Sequence, residues 1–148
     1  MKKLIAAIFA LAVLMGAVSA QDQKAAWTTD LAAAKQLAKK TNKILFVDFT
    51  GSDWCSACMI FKAEVLSKKA FLDYAKKNLI LVEIDFPENK PQMPAQRKMN
   101  EALSRQYNIE GFPTVLLMDG NGEIIAQTGY REGGAEKYVE YLKSVLKK

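Results

Sequence analysis

The sequence predicts an α/β domain, a central mixed β-sheet with helices on both faces. Two observations predict it. From Leu31 to Met118, short apolar runs rich in β-branched residues alternate with stretches whose apolar residues recur at helical spacing, which gives strands and covering helices in turn. The alternation then ends at Asp119-Gly120-Asn121-Gly122, a hairpin signal that adds an antiparallel strand.

The first residues stand apart from this domain. Met1-Lys2-Lys3 gives a positive start, Leu4 to Ala17 is an apolar run, and Val18-Ser19-Ala20 closes it with small residues. That is the three-part pattern of a secretory signal peptide, cleaved after Ala20. The run falls short of the ~20 residues of a spanning helix; an uncleaved anchor is the alternative. No cysteine near the cleavage point excludes lipoprotein attachment. The expectation is a leader over residues 1–20 and one domain over residues 21–148, periplasmic or secreted. Loss of Lys2 and Lys3 lowers the formal charge from +5 to +3. The remaining charges are interspersed and read as a solvated surface, not as a site for nucleic acid or membrane.

Taken in order, Trp27-Thr28-Thr29-Asp30 supplies cap residues for a helix with Leu31, Ala34, Leu37 and Ala38 on one face, ending near Lys40 with Asn42 in the turn. Ile44 to Thr50 is a buried strand, broken by Gly51-Ser52-Asp53. A helix opens at Cys55-Ser56-Ala57-Cys58 and carries Ile60, Ala63, Leu66, Phe71, Tyr74 and Ala75, with a bend around Ser67. Leu79 to Phe86 is the second core strand, and Pro87, Pro91 and Pro94 mark a loop. Ala95, Met99, Leu103 and Tyr107 outline an amphipathic helix. Gly111-Phe112-Pro113 precedes a strand over Thr114–Met118, and the hairpin returns through Glu123 to Gln127. Gly133-Gly134 opens a last helix with Tyr138, Val139, Leu142 and Val145 on one side.

The chain has two cysteines and no histidine. Histidine-dependent catalysis and histidine-ligated zinc drop out, as does haem attached through C-x-x-C-H, because Met59 follows Cys58. Thiol–disulfide exchange needs a thiolate, and a helix N-terminus favours one through its free N–H groups and dipole. Cys55 sits at such a start and Cys58 lies one turn on, which makes Cys55 the nucleophile and Cys58 the resolving thiol. Three other readings compete. A structural disulfide would close so small a loop that it constrains little of the unfolded chain. Zinc wants four ligands where two are offered, and an inert buried pair does not suit neighbouring Gly, Ser and Asp. The strand, sharp break and helix-opening C-x-x-C favour redox chemistry.

With these residues in place, the chain resembles the thioredoxin superfamily from about Trp27 to its C-terminus. Val47-Asp48-Phe49 and Trp54-Cys55-Ser56-Ala57-Cys58 look like the family's strand and redox motif, Gly111-Phe112-Pro113-Thr114 like its cis-proline segment, and Asp119-Gly120-Asn121-Gly122 like its hairpin. Thr50-Gly51-Ser52-Asp53 and the long Pro87–Asn100 segment look like exported members, akin to the thioredoxin-like domain that relays electrons in the periplasm. The resemblance implies a thioredoxin fold and a cis Pro113, with Phe112 placed to pair with an extended substrate; an ordinary trans proline at a strand start is the alternative. It implies that Asp48 is a buried carboxylate beneath the cysteines, raised by burial and able to accept the Cys58 proton; a hydrogen-bonded strand-end aspartate is the alternative. Trp54 would shield the site and contact substrate, unless it packs in the core, and Gly129 would lie near the site. The sequence departs from the family in three ways. Ser56-Ala57 replaces the common Gly-Pro, Met59 replaces a frequent lysine, and one extra residue separates Asp48 from Cys55.

The expected function is thiol–disulfide exchange with exported proteins, as reductase or isomerase more than strong oxidase. The alternative is a thioredoxin-fold binding module or chaperone that uses the groove beside Phe112 without redox turnover; metal transfer through the dithiol is a third. The catalytic residues expected are Cys55, Cys58 and Asp48, with Trp54, Phe112 and Pro113 binding substrate. No cofactor or metal is expected beyond the redox-active Cys55–Cys58 disulfide. The expected partners are protein thiols and disulfides and a membrane or periplasmic electron relay. The chain has little length for a dimerisation region, so a monomer is expected.

Overall fold

A computed structural model describes residues 26–147; the leader and its cleavage after Ala20 lie outside the described residues. The elements are β1 (Trp27–Thr28), α1 (Leu31–Thr41), β2 (Ile44–Thr50), α2 (Ser56–Phe61), α3 (Lys69–Asn78), β3 (Leu79–Asp85), α4 (Pro94–Gln106), β4 (Thr114–Met118), β5 (Ile124–Thr128) and α5 (Gly134–Val145). A π-helical turn over Lys62–Leu66 continues α2. The sheet runs β1-β3-β2-β4-β5. The pairs β1–β3 and β2–β3 are parallel, while β2–β4 and β4–β5 are antiparallel. This is the mixed sheet that alternation followed by a hairpin predicts.

Residues along a strand point alternately to the two faces. Leu45, Val47 and Phe49 of β2, with Val82, Ile84, Leu116 and Met118, pack against Leu31, Ala34 and Ala38 of α1. Phe46 faces the other way and joins Leu81, Val115 and Leu117 beneath Phe61, Phe71 and Tyr138. Edge-to-face contacts of Phe46 with Phe71 at 5.3 Å and with Tyr138 at 6.4 Å bind that layer. The two-residue period also sends Asp48 and Thr50 of β2, and Glu83 and Asp85 of β3, onto the face that α2 covers. Those polar positions stand at the carboxyl ends of the parallel strands, where open α/β sheets place their ligands.

The elements differ from expectation in three places. Asp30 alone caps α1, its Oδ1 accepting from the Ala33 N–H at 2.9 Å; Trp27 and Thr28 instead form a short edge strand in register with Leu81 and Val82. On α2, Phe61 and Val65 are buried with Leu66, while Ile60 and Ala63 face solvent. The helix there ends in the π turn, with both the N–H and the Oγ of Ser67 donating to the Lys62 carbonyl. On α4, Met99 is exposed and Asn100 is buried, for a reason given below. The hairpin forms as expected: Asp119 Oδ1 accepts from the Asn121 and Glu123 N–H groups at 2.8 and 3.0 Å, and Gly122 takes φ 88°.

Candidate active site

The chain leaves β2 at Thr50 and turns at once. Both the Trp54 and the Cys55 N–H donate to the Gly51 carbonyl, at 3.3 and 2.9 Å. Cys55 is the N-cap of α2, with extended backbone, and its Sγ accepts from the Cys58 N–H at 3.2 Å. The side chain that would carry negative charge thus already faces a free helix donor. Cys55 and Cys58 are joined as a disulfide with Cα atoms 5.2 Å apart. Both are nearly sealed from water, at 7% and 4% exposure.

Trp54, the residue before Cys55, anchors an aromatic wall. The Trp54 ring lies against Gly51, where an added Cβ would fall 2.5 Å from the indole. Its Nε1 donates to the Phe86 carbonyl at 2.7 Å, which fixes the ring edge while Trp54 stays 41% exposed. Phe112 meets Trp54 edge to face at 5.9 Å and stacks on Phe86 at 5.0 Å. The Phe112–Pro113 peptide is cis. Gly129 supports that segment from behind, since a Cβ there would fall 2.7 Å from the Pro113 carbonyl oxygen. The fold therefore brings Trp54, Phe112 and Pro113 to one surface. Phe86 belongs with them, though its place at the end of an apolar strand marked it only as core.

Beneath Cys58 the surroundings are different. A cleft of about 440 Å³ is lined by Cys58, Met59, Lys62, Leu66, Glu83 and Asp48, among others. Asp48 is 3% exposed, and its Oδ1 has no hydrogen-bond partner among the described residues. Burial, reinforced by the negative charges of Glu83 and Asp85 and opposed by Lys62, pushes its carboxyl up to about 8. Burial also raises Glu83. With one residue more between Asp48 and Cys55 than the family pattern, Asp48 still shares a cleft with Cys58. Thiolate formation at Cys58 beside a carboxyl that titrates near neutrality is chemistry this arrangement can perform.

A polar clamp holds the turn against the loop after β3. Asp85 accepts from the Ser52 N–H at 2.9 Å and from its hydroxyl at 2.6 Å. Asp53 accepts from the Glu88 and Asn89 N–H groups at 3.0 and 2.8 Å, bonds that hold its carboxyl below the usual range. Buried Asn100 reaches from α4 to donate to the Asp85 carbonyl at 2.8 Å and accepts from Gln96 Nε2, also at 2.8 Å. An apolar count along α4 passes over Asn100 because its inward position serves a backbone acceptor. Asn100→Ala is expected to cost about 1–2 kcal/mol, seen as a lower urea midpoint with an unchanged slope; an unmoved midpoint would count against the clamp.

Among the described residues no group of three or more Cys, Asp or Glu side chains is placed to hold a metal ion, and no helix is long and apolar enough to cross a membrane.

A thioredoxin-like domain family model matches residues 31–146. Disulfide bond reductase DsbH of Chlamydia pneumoniae is 37% identical over 116 residues, taking in 78% of this chain and 70% of DsbH. The thioredoxin-related protein DsbJ of the same organism is 29% identical over 119 residues, which is 80% of this chain and 34% of DsbJ. A solved structure of DsbH oxidoreductase superposes with a TM-score of 0.78 at 35% identity, over 83% of this chain and 85% of that one.

Proposed function

The chain belongs to the thioredoxin-like domain family, and from that premise we propose that it is a reductase of disulfides in exported proteins. It is a thiol–disulfide oxidoreductase, and Cys55-x-x-Cys58 is its redox pair. In the reducing direction the Cys55 thiolate attacks one sulfur of a substrate disulfide, forming a mixed disulfide and releasing the other substrate sulfur as thiolate. Cys58 then gives up its proton and its sulfur attacks Cys55 Sγ. The intramolecular disulfide forms, the second substrate sulfur leaves with the bonding pair, and two electrons have passed to substrate. Asp48 accepts the Cys58 proton, while Trp54 and Phe112 hold the substrate chain beside Pro113.

The observation that carries the direction is the charge beneath the site. A pair becomes strongly oxidising when its reduced form is stabilised as thiolate. Here Glu83 and Asp85 place negative charge under α2, beside an Asp48 whose raised carboxyl is largely protonated near neutral pH, the chain has no histidine, and Ser56-Ala57 adds no positive charge. Negative neighbours disfavour a thiolate, so the disulfide is the better-stabilised form and the dithiol a ready electron donor. The relative DsbH is itself described as a disulfide bond reductase.

The leader over residues 1–20 would deliver the protein to the periplasm or beyond, to act as a monomer. An oxidising compartment does not restore the dithiol, so a membrane or periplasmic relay must re-reduce it. Equilibration of the pair with glutathione tests the direction. A potential close to thioredoxin's, about −270 mV, is expected; one near about −120 mV would make the protein an oxidase and reverse this reading.

A further inference from the structure

A proton accepted by Asp48 has to leave again for each turnover, and a carboxyl only 3% exposed can pass it to solvent only through the cleft it lines with Cys58. The parallel register pairs Asp48 with Glu83 across β2 and β3, and paired residues project from the same face of strands ~4.8 Å apart. Asp48 is buried, whereas Glu83 is only half-buried, and both line the cleft that also reaches Cys58. Lys62 lines that cleft too, four residues after Cys58 on the π turn, and its side chain is exposed. The geometry is therefore a graded path: Cys58 and Asp48 inside, Glu83 at mid-depth, Lys62 at the solvent side. The charged and titratable groups acting on the two carboxyls are Asp85 from β3, Lys62 from the π turn and Lys90 from the loop after β3; Tyr138 of α5 also interacts with Asp48.

Resting on the exchange mechanism above, we propose that Glu83 and Lys62 are positioning residues of the Cys58 step. Glu83 carries the proton between Asp48 and solvent through the cleft, and Lys62 offsets the negative charge that the carboxyl pair would otherwise gather. The Cys58 proton passes to Asp48 as its sulfur attacks Cys55 Sγ, then to Glu83 and to water. The substrate sulfur departs as thiolate and takes a proton from solvent, so no proton is gained or lost beyond the thiol–disulfide exchange.

The test uses the reduced full-length protein and 5,5′-dithiobis(2-nitrobenzoate). Attack by Cys55 releases one thionitrobenzoate, and resolution by Cys58 releases the second. In Glu83→Gln the second phase slows, and its pH midpoint moves down by about one unit, because a negative neighbour is gone. In Lys62→Met the midpoint moves up by about as much, because a positive one is gone. Glu83→Asp restores the wild-type profile. A structural role alone would move both midpoints the same way or neither, and either outcome overturns the proposal. If Glu83→Gln fails to fold, Lys62→Met carries the test alone: an unmoved or lowered midpoint overturns it. A wild type with no second phase would instead sink the exchange reading itself, so the two failures are distinguishable.

Discussion

Cys58→Ser turns the protein into a trap: a covalent adduct with protein substrates accumulates through Cys55, and turnover falls to background. The reason lies in how α2 begins. Cys55 caps the helix and its sulfur already accepts the Cys58 N–H, so the first attack keeps its nucleophile and its stabilising donor in the variant. What disappears is the second sulfur one turn on, and a serine hydroxyl cannot displace a thiolate from a disulfide. The mixed disulfide then persists until an external thiol resolves it. Non-reducing electrophoresis and intact mass should show a reductant-sensitive adduct in Cys58→Ser, and none in Cys55→Ser or in the doubly substituted chain. If Cys58→Ser turns over as the wild type does, Cys58 is not the resolving thiol; if the double variant keeps full activity, Cys55 is not the nucleophile. The latter result would favour a binding module that uses the groove beside Phe112.

That experiment bears on the part of the site most legible in the sequence. A strand, a Gly-Ser-Asp break and C-x-x-C together fix where a nucleophile must stand, because a helix N-terminus follows from the break and not from any distant contact. Strand boundaries were legible for the same local reason: Ile44–Thr50 and Thr114–Met118 form over the residues their patterns mark. What escaped were features set by partners far along the chain. Trp27 and Thr28 become a strand only because Leu81 and Val82 offer an edge. Phe61 and Val65, not Ile60 and Ala63, face inward because they follow buried Cys58 at helical spacings of three and four, and the π turn beyond Phe61 brings Leu66 in beside Val65. Asn100 points into the protein for the sake of one carbonyl on β3. Glu83 and Asp85 read as the polar end of a strand; only the register with Asp48 reveals that three carboxyls share a face.

Asp48→Asn is expected to separate stability from activity. With its carboxyl pushed up to about 8 from an ordinary 3.8, Asp48 binds a proton more tightly in the folded than in the unfolded chain. Its contribution to stability is therefore full below pH 3.8 and lost as pH rises through 8. At about 1.4 kcal/mol for each unit of difference, the whole swing is on the order of 5 kcal/mol. Glu83 is raised in the same direction and adds to the same loss. The wild type should accordingly show a urea midpoint that falls between pH 5 and pH 9. In Asp48→Asn, which carries no charge to bury, most of that fall should vanish. The same substitution removes the acceptor for the Cys58 proton, and loss of a positioned base slows a step by about 10²-fold or more. The effect belongs to release of the second thionitrobenzoate, while the first should keep most of its rate. Equal pH dependence of stability in the two proteins would mean that Asp48 does not titrate where its burial places it. An unslowed second phase would mean that Cys58 loses its proton elsewhere. If both expectations hold, the fold carries a buried carboxyl whose Oδ1 has no partner among the described residues, at a cost in stability near neutral pH, and rapid resolution by Cys58 is the function that cost serves.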